Sequence, residues 1–262
     1  MGTTLVYSTA DSISLGGASE LKGIAGFEEA GELRGHRLFK NNDASLLEVD
    51  VPLFRADMID KIVDGTIIFL SQHKSSGGVG SFTAHSTGNW SSSAELGGEP
   101  LSLSTAAPAA MLSMLKSLGA VAPESTTYEA THHGPLAEHP SFFVEMGGNP
   151  DFAASEANRR LLATAVADAM DSGLDAEYGK VAIGIGGTHY PQKFTRLALE
   201  GRYAFGHIMP AYALNVEMIA QAVERSGEAV ETAVIEWKSI KAPDRERVIK
   251  RLDELGMDHE RV

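Results

Sequence analysis

The sequence predicts an α/β protein whose central sheet is mostly parallel and flanked by helices. Three observations carry this. From about residue 101 onward, strand-like apolar runs alternate with helical ones. Thr66–Ser71 (TIIFLS) reads as a buried strand. The stretch Lys180–Phe194 (KVAIGIGGTHYPQKF) alternates Val181, Ile183 and Ile185 with small residues, then breaks at Gly186-Gly187 and delivers Thr188, His189 and Tyr190. Open α/β sheets place chemistry at strand ends of this kind.

In order, Leu5–Thr9 is a first strand and Ala10–Ile24 a helix capped by Asp11 or Ser12, weakened by Gly16-Gly17. Gly26–Gly35 is polar and glycine-punctuated, hence a loop. Arg37–Phe39 and Leu46–Val51 are short strands around the Asn41–Asp43 turn. After Thr66–Ser71 come a Gly/Ser loop at Ser76–Gly80 and a strand at Ser81–His85. Pro108–Leu118 is a helix stopped by Gly119. Thr126–Ala130 and Ser141–Met146 are strands. Ser155 caps the clearest helix, which runs to Met170. Gln192–Leu199, Asn215–Val223 and Asp244–Leu255 are helices; Tyr203–His207 and Thr232–Trp237 are strands. Residues 1–262 read as a single hydrolytic domain with a small elaboration at 26–60.

The chain has 262 residues, no cysteine and a formal net charge of −13. Disulfides, thiolate-only metal sites and thiol nucleophiles are therefore excluded, and any metal must rest on His and carboxylate. The acidity disfavours a broad hold on nucleic acid, DNA included, though not a local basic patch. Met1-Gly2 followed by Thr3 and Thr4 is a weak acylation signal that the opening strand argues against. With neither a membrane-length apolar run nor a secretory leader in the sequence, the expected location is cytoplasmic, and the expected state is a monomer.

Nine histidines are present. His73, His85, His132, His133, His189, His207 and, more loosely, His139 fall at or just past strand ends, so a parallel sheet would bring them to one edge. Each has a plainer reading. A strand-end histidine such as His73 is commonly just exposed, His207 could be a core histidine, and His36, His139 and His259 read as surface. His132 and His133 are adjacent, so on a regular strand only one faces a pocket, unless Gly134-Pro135 swings the other round. Glu145, in an apolar strand, wants a partner: it could orient a histidine, ligate a metal or act as a base of raised pKa. Glu129 is a weaker candidate of the same kind. Serine-hydrolase, P-loop and His-Glu-x-x-His motifs are missing from the sequence. What remains is attack by a water activated by histidine or metal.

Several segments together resemble the archaeal and plant type of D-aminoacyl-tRNA deacylase: SQHKS at 71–75, HSTGN at 85–89, THHGP at 131–135, PSFFVEMGG at 140–148, GIGGTHYPQKFT at 184–195 and GHIMPAYAL at 206–214. The resemblance implies a phosphorylase/hydrolase-like α/β fold. It also implies hydrolysis of the ester between a D-amino acid and the 3′ end of tRNA, zinc as cofactor, and activity on aldehyde-modified D-aminoacyl-tRNA. It carries catalytic roles to His132, His133, His189, His207 and Glu145, and substrate contacts to His85, Gly186, Gly187, Thr188 and Lys193. We expect His132, His189 and Glu145 to hold the zinc. Gly148 departs from the pattern, which leads one to expect serine there. Backbone N–H groups at 186–188 are expected to stabilise the oxyanion. Lys193, Arg196, Arg202 and the closing helix are expected to grip tRNA. The competing readings are a zinc-dependent peptidase or amidohydrolase and a non-catalytic tRNA-end binding protein.

Overall fold

The computed structural model describes residues 2–73 and 78–262. Lys74 and Ser75 of the resembling segment, and part of the loop expected at Ser76–Gly80, lie outside the described residues. The first half of the chain carries β1 (Thr3–Ser8), α1 (Ser12–Ile24), β2 (Glu28–Leu33), β3 (His36–Lys40), β4 (Ala44–Val49), β5 (Thr66–His73), β6 (Ser81–His85), β7 (Gly88–Asn89), β8 (Ser102–Leu103), α2 (Pro108–Val121) and β9 (Thr126–Tyr128). The second half carries β10 (Ser141–Gly147), α3 (Pro150–Ala154), α4 (Glu156–Asp171), β11 (Lys180–Ile185), α5 (Gln192–Leu199), β12 (Tyr203–Met209), α6 (Ile219–Glu224), β13 (Thr232–Ile235), α7 (Ala242–Glu254) and β14 (His259–Arg261).

The fold is α/β, as expected, but its strands form two main sheets. The larger has the order β2-β3-β4-β1-β5-β10-β6-β9 and the smaller β12-β11-β13-β14. The smaller sheet is parallel throughout. In the larger, β4, β1, β5 and β10 run parallel, β6 pairs antiparallel to β10, and β2 and β3 close the other edge antiparallel. Residues 26–60 thus extend one edge of the larger sheet and cover part of its face.

Strand alternation explains how both faces of the larger sheet become buried. Leu5 and Tyr7 of β1, Ile68 and Leu70 of β5, and Phe142 and Val144 of β10 share one apolar cluster with α1, α2 and α4. Val6, Ile67, Phe69 and Phe143, at the intervening positions, face a second cluster with Leu53 and Ile59. The smaller sheet packs Ile183, Ile185 and Ile235 against Val248 and Leu252 of α7. Helix α2 touches α4 and β6 on one side and β12 on the other, so it ties the sheets together.

Several boundaries differ from expectation. Gly26–Gly35 is mostly strand, not loop: β2 pairs with β3 across the Arg34–Gly35 turn, and its exposed EEAGEL sequence carries no apolar alternation to reveal it. Helix α2 runs through Gly119 to Val121. His259 begins an edge strand, and α3 is an added turn capped by Asn149. Asp11 and Ser155 do cap α1 and α4.

Phe142 is fully buried between β5 and β6. Phe142→Ala should lower the unfolding free energy by about 3–5 kcal/mol, read by urea denaturation.

Candidate active site

The site begins on one face of the larger sheet. His73 at the end of β5 and Glu145 near the end of β10 lie on the Phe69/Phe143 face. His85, the last residue of β6, is paired with Phe143, and its ring stacks on the Phe143 ring with centroids 5.3 Å apart. Three neighbouring strands thereby bring two imidazoles and a carboxylate together.

The chain after β9 supplies the rest. Its backbone crosses between the two sheets: Glu129 N–H donates to Ala84 O, Ala130 N–H to His189 O and Thr131 N–H to Ile208 O. The Trp90 indole N–H fixes the same strip by donating to Thr131 O at 2.8 Å. His133 takes a left-handed backbone (φ 42°), uncommon for a residue with a side chain. That twist lets His132 and His133, adjacent in sequence, share one cavity with His85 and His189. Ring centroids of His132 lie 4.2 Å from His133, 4.3 Å from His85 and 4.7 Å from His189.

Glu129 is the hub. Its Oε2 lies 2.8 Å from His189 Nε2 of the smaller sheet, and its Oε1 lies 3.0 Å from His73 Nδ1 of the larger. His73 Nε2 meets the Tyr190 hydroxyl at 2.8 Å, and His189 Nδ1 meets the Tyr212 hydroxyl at 3.1 Å. Glu145 Oε2 lies 3.6 Å from His85 Nε2 and 3.8 Å from His73 Nδ1.

Electrostatics divide the histidines into two kinds. Burial alone would lower the His73 pKa, but contact with Glu129 and Glu145 overrides this and raises it to about 10. His73 is therefore a buried imidazolium between two carboxylates. Burial alone would likewise raise both carboxyls. Their histidine partners outweigh it, holding Glu129 well below the ordinary range and lowering Glu145, so the raised-pKa base anticipated for Glu145 is not what the site builds. For His132 and His133, burial and the neighbouring imidazoles act together; His132 falls well below its ordinary value and His133 to about 4. Both are neutral at pH 7.

In His85, His132 and His133 the Nδ1 atom meets a backbone carbonyl, of Ser86, Ala130 and Gly134 respectively. Nδ1 therefore carries a proton in each; in the neutral His132 and His133 Nε2 keeps its lone pair, whereas Glu145 beside His85 Nε2 raises the pKa of that imidazole. A backbone carbonyl fixing the far nitrogen is the usual support of a metal-binding histidine. Three donor sets among the described residues have ligand atoms within 4.8 Å of one another: His85/His132/His133, Glu129/His132/His189 and His73/Glu129/Glu145. The trio expected from the sequence, His132, His189 and Glu145, is not one of them. A cleft of about 600 Å³ opens onto the cluster, with Phe54, Leu96 and Phe143 as apolar wall and His132, His133, Glu145 and His189 as polar wall.

A family model described as D-aminoacyl-tRNA deacylase matches residues 62–260. The chain belongs to the D-aminoacyl-tRNA deacylase family. A curated D-aminoacyl-tRNA deacylase of Ignicoccus hospitalis is 36% identical over 98% of each chain. One from Pyrococcus horikoshii is 35% identical over 86% of each. A crystal structure described as a conserved protein of unknown function superposes with a TM-score of 0.87 at 30% identity, covering 99% of this chain and 95% of that one.

Within this deacylase fold, the expected site residues separate. His85, His132, His133, His189 and Glu145 come together. His207 does not join them. It is fully buried, its Nδ1 facing Thr131 Oγ1 at 3.2 Å and its Nε2 near the Ser104 and Arg225 carbonyls. Burial lowers its pKa to about 4, leaving a neutral core imidazole that holds the Thr131 strip. The amides of Gly186 and Gly187 donate to Met209 O and Ser239 Oγ, so they are not free to serve an oxyanion. Their left-handed φ values, 103° and 79°, turn the chain toward His189 instead. Thr188 is exposed and its hydroxyl donates to Tyr190 O. Lys193 pairs with Glu236, Arg196 with Glu200 and Arg202 with Glu260. Gly148 has a steric reason: a Cβ there would sit 1.9 Å from Val79 O, at φ 96°. Sequence reading put His73 at a strand end, where a histidine is commonly just exposed, and ranked Glu129 below Glu145. His73 is only 3% exposed, and the signal for it was its alternation in step with Phe69.

With a folded-state pKa near 10 against an ordinary 6.5, His73 contributes stability that is complete below about pH 6.5 and is lost as pH rises through 10. The stability gap between the parent and His73→Gln should therefore shrink steadily from pH 6.5 to pH 10 in urea titrations. A gap independent of pH in that window would show that His73 is not charged.

Proposed function

We propose that this chain hydrolyses the ester between a D-amino acid and the terminal ribose of tRNA, releasing both. The observation that carries the reading is the convergence, in a member of the deacylase family, of five imidazoles and two ionised carboxylates around one cleft. The setting would be the cytoplasm, where tRNA is charged. Among the described residues, no helix is long and apolar enough to cross a membrane.

Zinc fits the donor set. His132 and His133 offer neutral nitrogens, and His85 would join them on giving up the proton that Glu145 favours; the far side of each ring already has its partner, and the buried Nε2 of His85 has no hydrogen-bond partner among the described residues. When bound, zinc supplies Lewis-acid charge for the ester carbonyl and the attacking water. The chain's own groups supply the rest. Glu145, held ionised beside His85, takes a proton from the attacking water at a carboxylate oxygen. Glu129 orients His189 through Nε2–H, so His189 Nδ1 faces the Tyr212 hydroxyl at the rim. That hydroxyl directs its one proton at the Nδ1 lone pair and so can accept a hydrogen bond from the ribose, while the proton taken up by Glu145 passes on to the departing ribose oxygen, which balances the step. The aminoacyl side chain would lie against the apolar wall, and choice of the D configuration would require that wall to leave room on one side of the α-carbon only. For the polynucleotide, residues 237–251 carry six Lys or Arg against two Asp or Glu, in a chain of net −13. Ser239 of this segment accepts from Gly187, two residues before His189. Lys238 and Lys241 are exposed there.

The deciding measurement is release of D- and L-tyrosine from charged tRNA before and after chelation. D-tyrosine should be released preferentially, and chelation should stop it until zinc is restored; equal rates for the two enantiomers would defeat the assignment. Glu145→Gln should lower kcat about 10²- to 10⁴-fold. Lys238→Glu combined with Lys241→Glu should raise the KM for tRNA, more so at low salt, with kcat little changed.

A further inference from the structure

Tyr212 stands apart from the other aromatic residues. It is 67% exposed, while the described Phe, Trp and remaining Tyr side chains are buried or half-buried. Its position is not arbitrary. It lies in the short 3₁₀ turn Ala211–Ala213 that follows β12, and the Ala211 amide donates to Gly187 O, which ties this turn to the His189 loop. Its hydroxyl is held at 3.1 Å from His189 Nδ1. The ring is thus presented to solvent in a fixed direction at the rim of the cleft. Exposing an aromatic face in water has a cost that a surface turn need not bear, and a ring held in place loses little entropy when it takes a partner.

Resting on the deacylase reading, we propose that the Tyr212 ring is the stacking platform for the terminal adenine of the tRNA. The geometry of an aminoacyl ester requires a base close by. The ester sits on the ribose of the last nucleotide, so with the aminoacyl group inside the cleft and the ribose oxygen at His189 and Tyr212, the adenine projects outward one ribose away. Every nucleobase offers a π-face, and stacking on aromatic side chains is the usual hold on unpaired ends. The platform would act on every tRNA alike, because the terminal adenosine is common to all. That suits an enzyme selecting for the configuration of the amino acid and not for the tRNA body.

The test uses the full chain with Tyr212→Phe, Tyr212→Trp and Tyr212→Ala, after matching thermal melts to show that each folds. With D-tyrosyl-tRNA, Tyr212→Ala should raise KM about tenfold or more. Phe and Trp should restore KM to near the parent value, while their kcat falls severalfold through loss of the hydroxyl against His189. An unchanged KM for Tyr212→Ala, or an equal rise for Phe and Ala, would overturn the platform. A binding measurement separates this from the deacylase reading itself. Uncharged tRNA should bind the parent more tightly than the same tRNA trimmed of its terminal adenosine, and Tyr212→Ala should lose that preference. The difference is readable even if the parent released no D-tyrosine; retention of the preference by Tyr212→Ala would refute the proposal.

Discussion

The arrangement depends on one buried carboxylate. Glu129 is 1% exposed and receives His73 from the larger sheet on one oxygen and His189 from the smaller sheet on the other. An unpaired carboxylate at this depth would take up a proton. Two imidazole partners keep it ionised, and because they come from different sheets, the same contacts set the sheets relative to each other at the site. The strip that carries Glu129 has its backbone bonds shared out likewise, to Ala84, His189 and Ile208. Removing Glu129 would leave the His73 imidazolium with Glu145 as its remaining ion-pair partner and would free His189 to rotate. That makes the hub a positioning device before it is anything else.

The histidines divide according to what lies behind them. Those backed by a carboxylate, His73 and His189, are oriented by charge. Of those backed by a peptide carbonyl, His132 and His133 stay neutral and present a lone pair, while His85, with Glu145 beside it, has its pKa raised. The distinction follows from burial. An imidazole without an anion beside it sheds its proton in a low-dielectric pocket, and one between two anions keeps it. A single cleft therefore holds a charged imidazole, His73, and two neutral ones, His132 and His133, within a few ångströms. A hydrolytic site needs that separation, since electrophilic assistance and proton transfer ask opposite things of the same side chain.

Much of this was legible from the residues, for reasons that can be named. Alternation in TIIFLSQH and SFFVEMG identified β5 and β10, and the glycine break after KVAIGI located the His189 loop. The second sheet was not legible, because alternation identifies a strand without naming its neighbour. The antiparallel entry of β6 beside β10, which puts His85 on the Phe143 face, is information of that long-range kind. His207 shows the same limit from the other side. YAFGHIM reads identically whether its imidazole meets a substrate or, as here, the carbonyls of Ser104 and Arg225, distant in sequence. The His132-His133 pair was ambiguous for a local reason, and the left-handed turn at His133 resolved it.

The acidity of the chain also acquires a physical sense. Lys193, Arg196 and Arg202, basic residues near the His189 loop, each face a carboxylate of their own, which weakens them as phosphate ligands. Repulsion by the remaining negative surface would keep most of a tRNA at a distance, leaving the basic segment after β13 and the unpaired 3′ end as the places of approach. On the deacylase reading, a polyanion approaching end-first would deliver its ester to the cleft without any need to read the rest of its sequence. On the same reading, cutting the ester would release the aminoacyl group from the apolar wall, so that the product tRNA would be held only through its terminal adenine and the basic segment.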